Sequence, residues 1–322
     1  MSMFPGFSDG TRLLVTGGAG FIGSHVVDTL LEAGAEVIVL DDLTTGDPER
    51  LDPRADLRRV DVTDAAALDE AVRSVRPAAV CHLAAQIDVR VSVARPAADA
   101  RVNVEGTINV LEAARAVGAR VVFASTGGAL YGEGVPVPTP EDTLPGPGAP
   151  YGTAKYCAEQ YIGLFNRLHG TAHSVLRLGN VYGPRQSPGG EAGVIAIHCG
   201  LARDGEEPTV YGDGLQTRDY VYVGDVAEAF TAALRHPAPG VWNIGTGRGS
   251  TVLEVLDHIA AASGRELRPR FALHRPGEIR HSTLDVTRAA ADLGWTASVP
   301  LEKGIAATYD WVRSGSPVRQ RA

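Results

Sequence analysis

Short apolar runs alternate with amphipathic stretches along the first half of the chain. The apolar runs, predicted as strands, are Leu13–Thr16, Glu36–Leu40, Leu57–Val60, Ala79–Leu83 and Arg120–Ser125. Helical spacing of apolar residues lies between them at Ser24–Ala33, Ala65–Val75 and Asn103–Val117. Strands that are apolar on both faces are typical of a parallel sheet covered by helices. The pattern therefore predicts an α/β fold with a doubly wound parallel sheet.

The second half of the chain is less regular. It contains a further predicted strand at Ser174–Leu178, followed by the turn-rich segment Asn180–Arg185. We predict that residues 1–178 form the sheet domain and that 215–240 return to it. Residues 179–322 are predicted to form mainly a smaller C-terminal α/β domain that binds the substrate.

Three glycines follow the first predicted strand at three-residue spacing. We expect Gly17 to make a tight turn, Gly20 to let the backbone approach a phosphate, and Gly23 to let the next helix pack against the strand. The unpaired N–H groups of such a turn point at one place, where a pyrophosphate can accept them. The spacing differs from the usual G-x-G-x-x-G, and a glycine turn alone can be merely a turn. Between a strand and a helix, it predicts a Rossmann-type dinucleotide site.

Asp41 ends the second predicted strand, 18 residues after Gly23. An acidic residue near this position binds the adenosine ribose hydroxyls of a dinucleotide, and its charge would repel a 2′-phosphate. The alternative is a solvated aspartate in a turn. We expect the cofactor to be NAD rather than NADP. The ends of the later strands should lie at the same sheet edge, which would bring together Asp61, Leu83, Ala84, Gln86, Ser125 and Thr126.

A proline-rich loop, from Gly132 to Pro150, precedes a second candidate site. Its six prolines argue against regular structure and suit a rigid loop over a site. Tyr151 and Lys155 follow, one helical turn apart on one face. A nearby cation and a positive nicotinamide ring would lower the phenol pKa from about 10, so that Tyr151 could act as a base near neutral pH. The alternative is an exposed pair without function.

Composition limits the partners and the location. The chain has 30 Lys and Arg against 38 Asp and Glu, a net charge of −8 without a basic block, so nucleic acid and anionic membranes are not expected as partners. Cys81, Cys157 and Cys199 lack disulfide or metal spacing and are expected to be buried apolar residues. His82 is expected to be a packed core residue, and no metal is expected. Without a signal peptide or membrane span, we expect a cytoplasmic protein.

Two arginines stand in loops of the second half. Arg218 follows a Tyr-Gly-Asp-Gly turn, and Arg275 precedes Pro-Gly-Glu. Arginines in loops suit a diphosphate, which they bind through bidentate, charge-assisted hydrogen bonds. Either arginine could equally be a solvated surface residue, and the residues alone leave both interpretations open.

Four segments together resemble the extended short-chain dehydrogenase/reductases that act on nucleotide sugars. They are Thr16–Ser24, Tyr151 with Lys155, Asn180–Arg185, and Gly212–Gly214 before Arg218–Tyr220. The resemblance spans roughly residues 12–313 and is closest to UDP-glucose 4-epimerases of bacterial and archaeal type. It implies a Rossmann-type NAD-binding domain and a UDP-sugar substrate.

The resemblance also implies a reaction and a set of residue roles. NAD⁺ would remove hydride from C4 of the sugar while Tyr151 takes the proton of the 4-hydroxyl, and the keto sugar would receive the hydride on its other face. Around NAD the resemblance places Gly17, Gly20, Phe21, Ile22, Gly23, Asp41, Asp61, Val62, Leu83, Ala84, Gln86, Asn103, Tyr151 and Lys155. Around UDP it places Asn180, Val194, Tyr211, Arg218, Arg275 and Glu278. Helices at Asn103–Val117 and Thr153–Leu168 would pair in a homodimer.

The chain departs from the family pattern near the catalytic hydroxyl. The Ser or Thr of the family falls at Gly127, so Ser125 or Thr126 would have to supply the hydroxyl instead. The Asp-Glu pair of related 4,6-dehydratases is replaced by Gly128 and Ala129, so dehydration lacks its acid and base.

Two further positions bear on the sugar. Epimerases for UDP-glucuronate tend to carry an Arg where this chain has Ser187, which favours a neutral hexose. Ser282 falls at the gate beside the 2-substituent, where a bulky Tyr would block an N-acetyl group. We therefore expect 4-epimerisation of UDP-glucose and UDP-galactose, with the N-acetylated pair also fitting. The alternatives are a UDP-glucuronate 4-epimerase, a net oxidoreductase, and a regulator, which would be expected to have lost Tyr151 or Lys155.

Overall fold

A seven-stranded sheet lies at the centre of the protein, for which a computed structural model describes residues 7–8, 10–189, 193–274 and 279–315. In chain order the strands are β1 (Arg12–Thr16), β2 (Glu36–Asp41), β3 (Asp56–Arg59), β4 (Ala79–His82), β5 (Arg120–Thr126), β6 (Ser174–Leu178), β7 (Asn180–Tyr182), β8 (Thr209–Tyr211), β9 (Thr217–Arg218), β10 (Tyr220–Tyr222), β11 (Val241–Ile244), β12 (Ser250–Thr251), β13 (Arg270–Ala272) and β14 (His281–Ser282). The sheet has the order β11-β6-β5-β4-β1-β2-β3. Its pairings are parallel, which confirms the predicted sheet.

Helices cover both faces of the sheet. In chain order they are α1 (Phe21–Glu32), α2 (Ala65–Val75), α3 (Val89–Ala94), α4 (Pro96–Ala100), α5 (Gly106–Val117), α6 (Pro150–His169), α7 (Val194–Asp204), α8 (Val223–Arg235), α9 (Val252–Ser263), α10 (Thr287–Leu293) and α11 (Leu301–Arg313). Helices α1 and α8 share one core, which includes Val27 and Phe230. Helices α2, α5 and α6 share the other, which includes Leu111 and Phe123. The sheet is therefore doubly wound, and its strand order reverses between β1 and β4, where ligands bind in such folds.

Two helical regions differ from the sequence prediction. Helix α1 begins at Phe21 rather than Ser24, because the glycine turn itself supplies the N-cap at Gly20. The helix predicted from Asn103 is the end of a longer helical run, in which α4 passes through a π-helical turn at Arg101–Glu105 into α5. The sequence analysis missed α3 and α4, since Pro96 looks like a helix breaker although proline is well tolerated at a helix start.

The chain leaves the central sheet after β6 and later returns to it. Helix α8 packs on the sheet, and β11 pairs with β6 at its edge, so the returning segment extends beyond the predicted 215–240. Helices α7, α9 and α11 enclose a separate core that contains Ile195, Val255 and Ile305. The two cores on the sheet and this third core are formed by different helices, and the division into a cofactor part and a substrate part stays a prediction.

Polar and sulfur-containing core residues follow the sequence expectation in part. His82 lies in β4 and is 0% exposed, as predicted, and burial lowers its pKa to about 3. Cys81 and Cys199 are buried, whereas Cys157 is half-buried. Within the described residues, no group of side chains could hold a metal ion. None of the helices described is long and apolar enough to cross a membrane.

Candidate active site

Gly17 and Gly23 build the turn between β1 and α1. Gly17 has a φ of +70°, and a Cβ there would lie 2.6 Å from the amide nitrogen of Ala84. A Cβ on Gly23 would lie 2.8 Å from the Cα of Gly18. Glycine alone adopts this turn and this close packing without strain. The structural roles predicted for Gly17 and Gly23 are therefore confirmed.

The first turn of α1 directly follows this glycine turn. Gly20 is its N-cap, and no side chain in the part of the chain described caps this helix end. Phe21 and Ile22 open the helix, so their backbone N–H groups need a partner from solvent or a ligand. The partial positive charge of a helix start favours an anion there. The structure thus places Gly20, Phe21 and Ile22 where a pyrophosphate can be bound.

Asp41 lies beside this turn at the end of β2. Its carboxylate accepts hydrogen bonds from the backbone N–H groups of Ala19 at 3.0 Å and Leu43 at 2.9 Å. Burial raises the pKa of Asp41, and the two hydrogen bonds act in the opposite direction. The structure brings Asp41 to the glycine turn, while its role toward a ribose stays a prediction.

Arg50 and Arg185 flank the turn and were missed by the sequence analysis. Arg50 donates from Nη1 to the carbonyl oxygen of Ala19 at 3.5 Å, and Arg185 forms an ion pair with Asp28 at 2.7 Å. Nε of Arg50 and Nη1 of Arg185 are buried donors without a hydrogen-bond partner among the described residues. Such donors are available to an anion. Arg50 belongs to no recognised motif, and Arg185 ends the Asn180–Arg185 segment, in which the sequence analysis assigned no role to the arginine.

The loop after β4 is held against β1. The amide N–H of Leu83 donates to the carbonyl oxygen of Thr16 at 3.0 Å, and that of Ala84 donates to Thr16 Oγ1 at 3.3 Å. Asp61 is exposed after β3, and Val62 is buried next to it. The structure therefore positions these four predicted cofactor residues after the carboxyl ends of β3 and β4, at the same edge of the parallel sheet.

A hydrogen-bond network extends this edge toward α4. Asn103 accepts from the backbone N–H of Gln86 at 3.1 Å and donates to the carbonyl oxygen of Gln86 at 2.9 Å. Nε2 of Gln86 and Nδ2 of Asn103 both donate to Oδ1 of Asp99, at 2.7 Å and 3.0 Å. Two predicted cofactor residues are thus joined around a carboxylate that the sequence analysis did not single out.

Tyr151 and Lys155 lie at the start of α6. Nζ of Lys155 donates to the carbonyl oxygen of Ala124 at 3.0 Å and lies 4.6 Å from the ring centre of Phe123. Burial raises the pKa of Tyr151 to about 12, and the Asp99 carboxylate acts in the same direction. Burial lowers the pKa of Lys155 to about 8. Lys155 alone therefore does not lower the phenol pKa, and the lowering expected from the sequence requires a further positive charge.

Ser125 and Thr126 are adjacent in β5 and so project to opposite faces of the sheet. Oγ of Ser125 donates to Oε1 of Glu159 at 2.5 Å in a buried site. Thr126 is half-buried at the strand end, and its Oγ1 accepts from the backbone N–H of Ala129 at 3.2 Å. Because Ser125 uses its proton on Glu159, Thr126 is the hydroxyl of this pair that can donate to a ligand.

The glycines after β5 shape the adjoining surface. The side chain of Leu284 packs over Gly127. A Cβ on Gly128 would lie 3.2 Å from Oδ1 of Asn180. That amide oxygen is buried and, among residues 7–8, 10–189, 193–274 and 279–315, has no hydrogen-bond partner. Asn180 therefore presents an acceptor at the predicted sugar site.

The predicted UDP-binding residues come from four elements. Asn180 begins β7, Val194 begins α7, Tyr211 ends β8, and Arg218 ends β9. In the parallel pairing of β9 with β14, Arg218 is the register partner of Ser282. The structure thus brings together an arginine predicted for the nucleotide and the residue predicted for the sugar gate.

The structure describes one of the three remaining residues that were predicted near the substrate. Ser187 is half-buried, and its Oγ accepts from the backbone N–H of Gly189 at 3.3 Å. Arg275 and Glu278 lie outside the described residues.

Buried polar groups tie the proline-rich loop to the central sheet. Arg177 in β6 donates from Nη1 to the hydroxyl of Tyr131 at 2.8 Å and to the carbonyl oxygen of Glu141 at 2.9 Å. It also forms a buried ion pair with Glu159 at 2.7 Å. The Glu141 carboxylate accepts from the backbone N–H of Asn243 at 2.8 Å. The loop is therefore anchored at its middle, in agreement with the predicted rigidity.

The chain is similar to known proteins along most of its length. Residues 13–245 match the NAD dependent epimerase/dehydratase family. The UDP-glucose 4-epimerase of Mycolicibacterium smegmatis is 43% identical over 313 residues, which cover 95% of this chain and 99% of the relative. The structure of the Thermotoga maritima UDP-glucose 4-epimerase with UDP-glucose matches at a TM-score of 0.92 and 46% identity. That of the Thermus thermophilus enzyme in complex with NAD matches at 0.88 and 45%. Each of these two structural matches covers 94% of this chain and 99% of the matched chain.

Proposed function

The chain belongs to the NAD-dependent epimerase/dehydratase family, and we propose that it interconverts UDP-glucose and UDP-galactose by 4-epimerisation with NAD as cofactor. The observation that carries this proposal is the position of Tyr151 and Lys155 at the sheet edge that also carries the glycine turn. A proton-transferring phenol and a fixed cation thus lie at the same edge as the dinucleotide cradle. Family relatives that are UDP-glucose 4-epimerases support the same activity.

The residues at the turn fit NAD. The glycine cradle cannot accept a Cβ, the start of α1 is uncapped among the described side chains, and Arg50 and Arg185 offer buried donors. We propose that NAD is held by Gly17, Gly20, Phe21, Ile22, Gly23, Asp41, Asp61, Val62, Leu83, Ala84, Gln86, Asn103, Tyr151 and Lys155, together with the two arginines. When bound, NAD supplies a hydride acceptor and donor for C4 of the sugar, so the reaction has no net oxidation.

Tyr151 moves the proton in the proposed reaction. Its phenol oxygen takes the proton of the 4-hydroxyl group and later returns it to the same oxygen. Since burial holds the phenol pKa near 12, positive charge close to the ring is needed to stabilise the phenolate. The Lys155 ammonium, fixed by the carbonyl oxygen of Ala124, is proposed to supply part of this charge, and the positive nicotinamide ring of NAD⁺ would supply the rest. The proposed role of Lys155 is therefore electrostatic as well as cofactor-binding.

Thr126 is the proposed source of the second catalytic hydroxyl. It lies next to Gly127, where the family pattern has Ser or Thr, and its half-buried Oγ1 keeps a proton to donate to the 4-oxygen. Ser125, the other candidate, is bonded to Glu159. We assign Asn180 to the bound nucleotide sugar because its buried amide oxygen lacks a partner in the described part of the chain.

The residues around the sugar favour a neutral hexose. Gly128 and Ala129 provide no acid or base for dehydration, and Ser187 provides no cation for a glucuronate carboxylate. The small, half-buried Ser282 beside Arg218 leaves room at the gate, which supports turnover of the N-acetylated pair as well. Val194, Tyr211, Arg218, Arg275 and Glu278 are the remaining residues proposed for the UDP group.

We also propose a cytoplasmic homodimer paired through α5 and α6. Leu164 and Leu168 on α6 are 36% and 66% exposed and would be covered by a partner helix. Cys81, Cys157 and Cys199 are free thiols, which agrees with a reducing compartment. The molar mass in solution, measured by light scattering, tests the dimer.

The activity is tested with three separate substrates. The purified protein is incubated with UDP-galactose, UDP-glucuronate or UDP-GalNAc without added NAD⁺, and the H4 and anomeric signals of the sugar are followed by NMR. The proposal predicts conversion of UDP-galactose to UDP-glucose. If none of the three is converted even after NAD⁺ is supplied, the proposed function is wrong. Conversion of UDP-glucuronate alone would favour the second candidate activity.

A further inference from the structure

The loop that follows β7 is fastened to helix α1 at two points. Nε2 of His25 donates to the carbonyl oxygen of Pro184 at 2.9 Å, and Asp28 forms an ion pair with Arg185 at 2.7 Å. His25 and Asp28 are three residues apart, so both project from one face of the helix. That helix begins at Phe21, in the turn proposed to bind the pyrophosphate. The loop therefore lies along the helix that carries the cofactor cradle.

Arg185 has an unusual backbone conformation within this loop. Its φ is +70°, in the left-handed region that a residue with a long side chain rarely adopts. Such a conformation costs free energy and persists where neighbouring contacts impose it, often at a binding site. The contacts with His25 and Asp28 act on Arg185 and on the residue before it. Helix α1 therefore holds Arg185 in a conformation that is unfavourable for the residue alone.

Arg185 and Arg50 form a pair of cations beside the glycine turn. Nη1 of Arg50 donates to the carbonyl oxygen of Ala19 at 3.5 Å, which places this guanidinium at the turn. Burial lowers the pKa of Arg50, and the charge of Arg185 acts in the same direction, against that of Asp47. Nε of Arg50 and Nη1 of Arg185 are buried and have no hydrogen-bond partner in the described ranges. Two neighbouring cations with unused donors are stabilised by a shared anion.

We propose, on the basis of the NAD-dependent function above, that Arg185 closes the pyrophosphate site and that His25 and Asp28 are the positioning residues that keep it closed. They act through Pro184 and Arg185, and they set the rate at which NAD leaves. Because the proposed reaction has no net oxidation, the enzyme gains nothing by releasing NAD between cycles. A loop that is fastened to α1 therefore suits a cofactor that stays bound.

The test measures how fast protein-bound NAD exchanges with isotopically labelled NAD⁺, by mass spectrometry after rapid gel filtration. His25→Leu removes the donor to Pro184 and should speed exchange about tenfold or more. His25→Gln keeps an N–H donor at similar reach and should stay close to the wild type. Asp28→Asn removes the ion pair and should also speed exchange. Glu32→Gln changes an exposed carboxylate one turn after Asp28 on the same helix, and as the matched control it should leave exchange unchanged.

A double-mutant cycle with Arg185→Leu separates positioning from a merely structural role. If His25 acts through Arg185, His25→Leu should change the exchange rate by less than about threefold once residue 185 is leucine. An equal effect in both backgrounds would overturn the proposal, and an unchanged exchange rate in His25→Leu or Asp28→Asn would overturn it for that residue. If His25→Leu does not fold, Asp28→Asn decides in the same cycle.

The substrate diphosphate is the other anion that Arg185 could bind. A raised KM for UDP-galactose in Arg185→Leu, with unchanged NAD exchange, would place the arginine at the substrate and overturn the proposal. Exchange is measured without a sugar. A wild-type protein that holds NAD but converts no UDP-sugar would therefore refute the proposed function alone, so the two failures are distinguishable.

Discussion

A Cβ atom on Gly127 would lie 2.6 Å from Cδ1 of Leu284, so the leucine occupies the space into which a side chain at position 127 would project. Leu284 is 1% exposed, and its backbone N–H donates to the buried Asp219 carboxylate at 3.2 Å. The leucine is therefore held in place. The packing of Leu284 therefore excludes a Ser or Thr side chain at position 127, which is consistent with the catalytic role proposed for Thr126.

Restoring the hydroxyl residue of the family with Gly127→Ser should consequently lower the free energy of unfolding. Overpacking of this kind costs about 1–3 kcal/mol. Combining it with Leu284→Ala should cost less than the sum of the two single changes, because the smaller side chain makes room. Urea denaturation of the four proteins in this cycle measures the effect. Additive free energies of unfolding would show that Leu284 does not limit position 127.

Ser125 and Thr126 should separate stability from activity. Ser125→Ala removes the donor to Glu159 and should lower the free energy of unfolding by about 1–2 kcal/mol with turnover nearly unchanged. Thr126→Val, of similar shape, should lower kcat by about a hundredfold with little loss of stability. Thermal unfolding and steady-state rates on UDP-galactose measure both effects. If Ser125→Ala lost most of its kcat while Thr126→Val did not, Ser125 rather than Thr126 would be the catalytic hydroxyl.

Ser282→Tyr should narrow the substrate range. A bulky ring at the gate would exclude the N-acetyl group, so the rate on UDP-GalNAc relative to UDP-galactose should fall about tenfold or more. His281→Tyr is the matched control, because adjacent strand residues project to opposite faces and His281 is exposed. An unchanged ratio in Ser282→Tyr would show that residue 282 does not form the gate.

Tyr151→Phe should remove turnover and keep the cofactor. Loss of the proton-transferring oxygen should lower kcat by about 10²–10⁴-fold. The cradle around Gly17 is left untouched, so NAD content, measured after denaturation of the purified protein, should equal that of the wild type. Full activity in this variant would contradict the mechanism.

His173 makes stability depend on pH in the acid range. The backbone N–H of Val121 donates to its Nδ1 at 2.9 Å, and burial together with Arg120 lowers its pKa from 6.5 to about 4. Because the folded state binds this proton less readily than the unfolded state, the contribution is complete above pH 6.5 and is lost as the pH falls toward 4.

His173→Asn tests this pH dependence. The amide oxygen can still accept from Val121, but the side chain no longer titrates. The slope of unfolding free energy against pH between 4 and 6.5 should decrease by up to about 1.4 kcal/mol per pH unit. Denaturation midpoints at several pH values measure the slope, and parallel curves for the two proteins would exclude this role of His173.

Local patterns predicted much of the fold. The strand at Ser174–Leu178 and the helix at Ala65–Val75 have the predicted bounds, since the apolar spacing there is unambiguous. The glycine turn was recognisable because Gly17 and Gly23 have backbone and packing requirements that few other residues meet. Helices α3 and α4 were missed because short helices have weak periodicity and Pro96 concealed the start of the second.

Site features that depend on contacts between residues far apart in the chain could not be predicted from the sequence. Asp99 lies in the short helix α4 and looks in the sequence like a surface aspartate, although α4 packs on α6 and buries it. The choice between Ser125 and Thr126 depends on Glu159, which is 34 residues away from Ser125 in the chain. The reason for a glycine at position 127 is its contact with Leu284, which is 157 residues away in the chain and therefore visible only in the fold. Pairwise relationships of this kind leave no periodic signal.

The anchoring of the proline-rich loop limits how the nucleotide sugar can enter and leave. Lifting the loop at Glu141 would break the hydrogen bond that its carbonyl oxygen accepts from Arg177 and the one that its carboxylate accepts from the backbone N–H of Asn243, each worth about 1.5–3 kcal/mol. Since each 1.4 kcal/mol is a factor of ten, about one molecule in a hundred or fewer would have the loop raised at any time. We therefore expect the loop to stay in place at Glu141 during turnover, so that the nucleotide sugar enters and leaves past other segments.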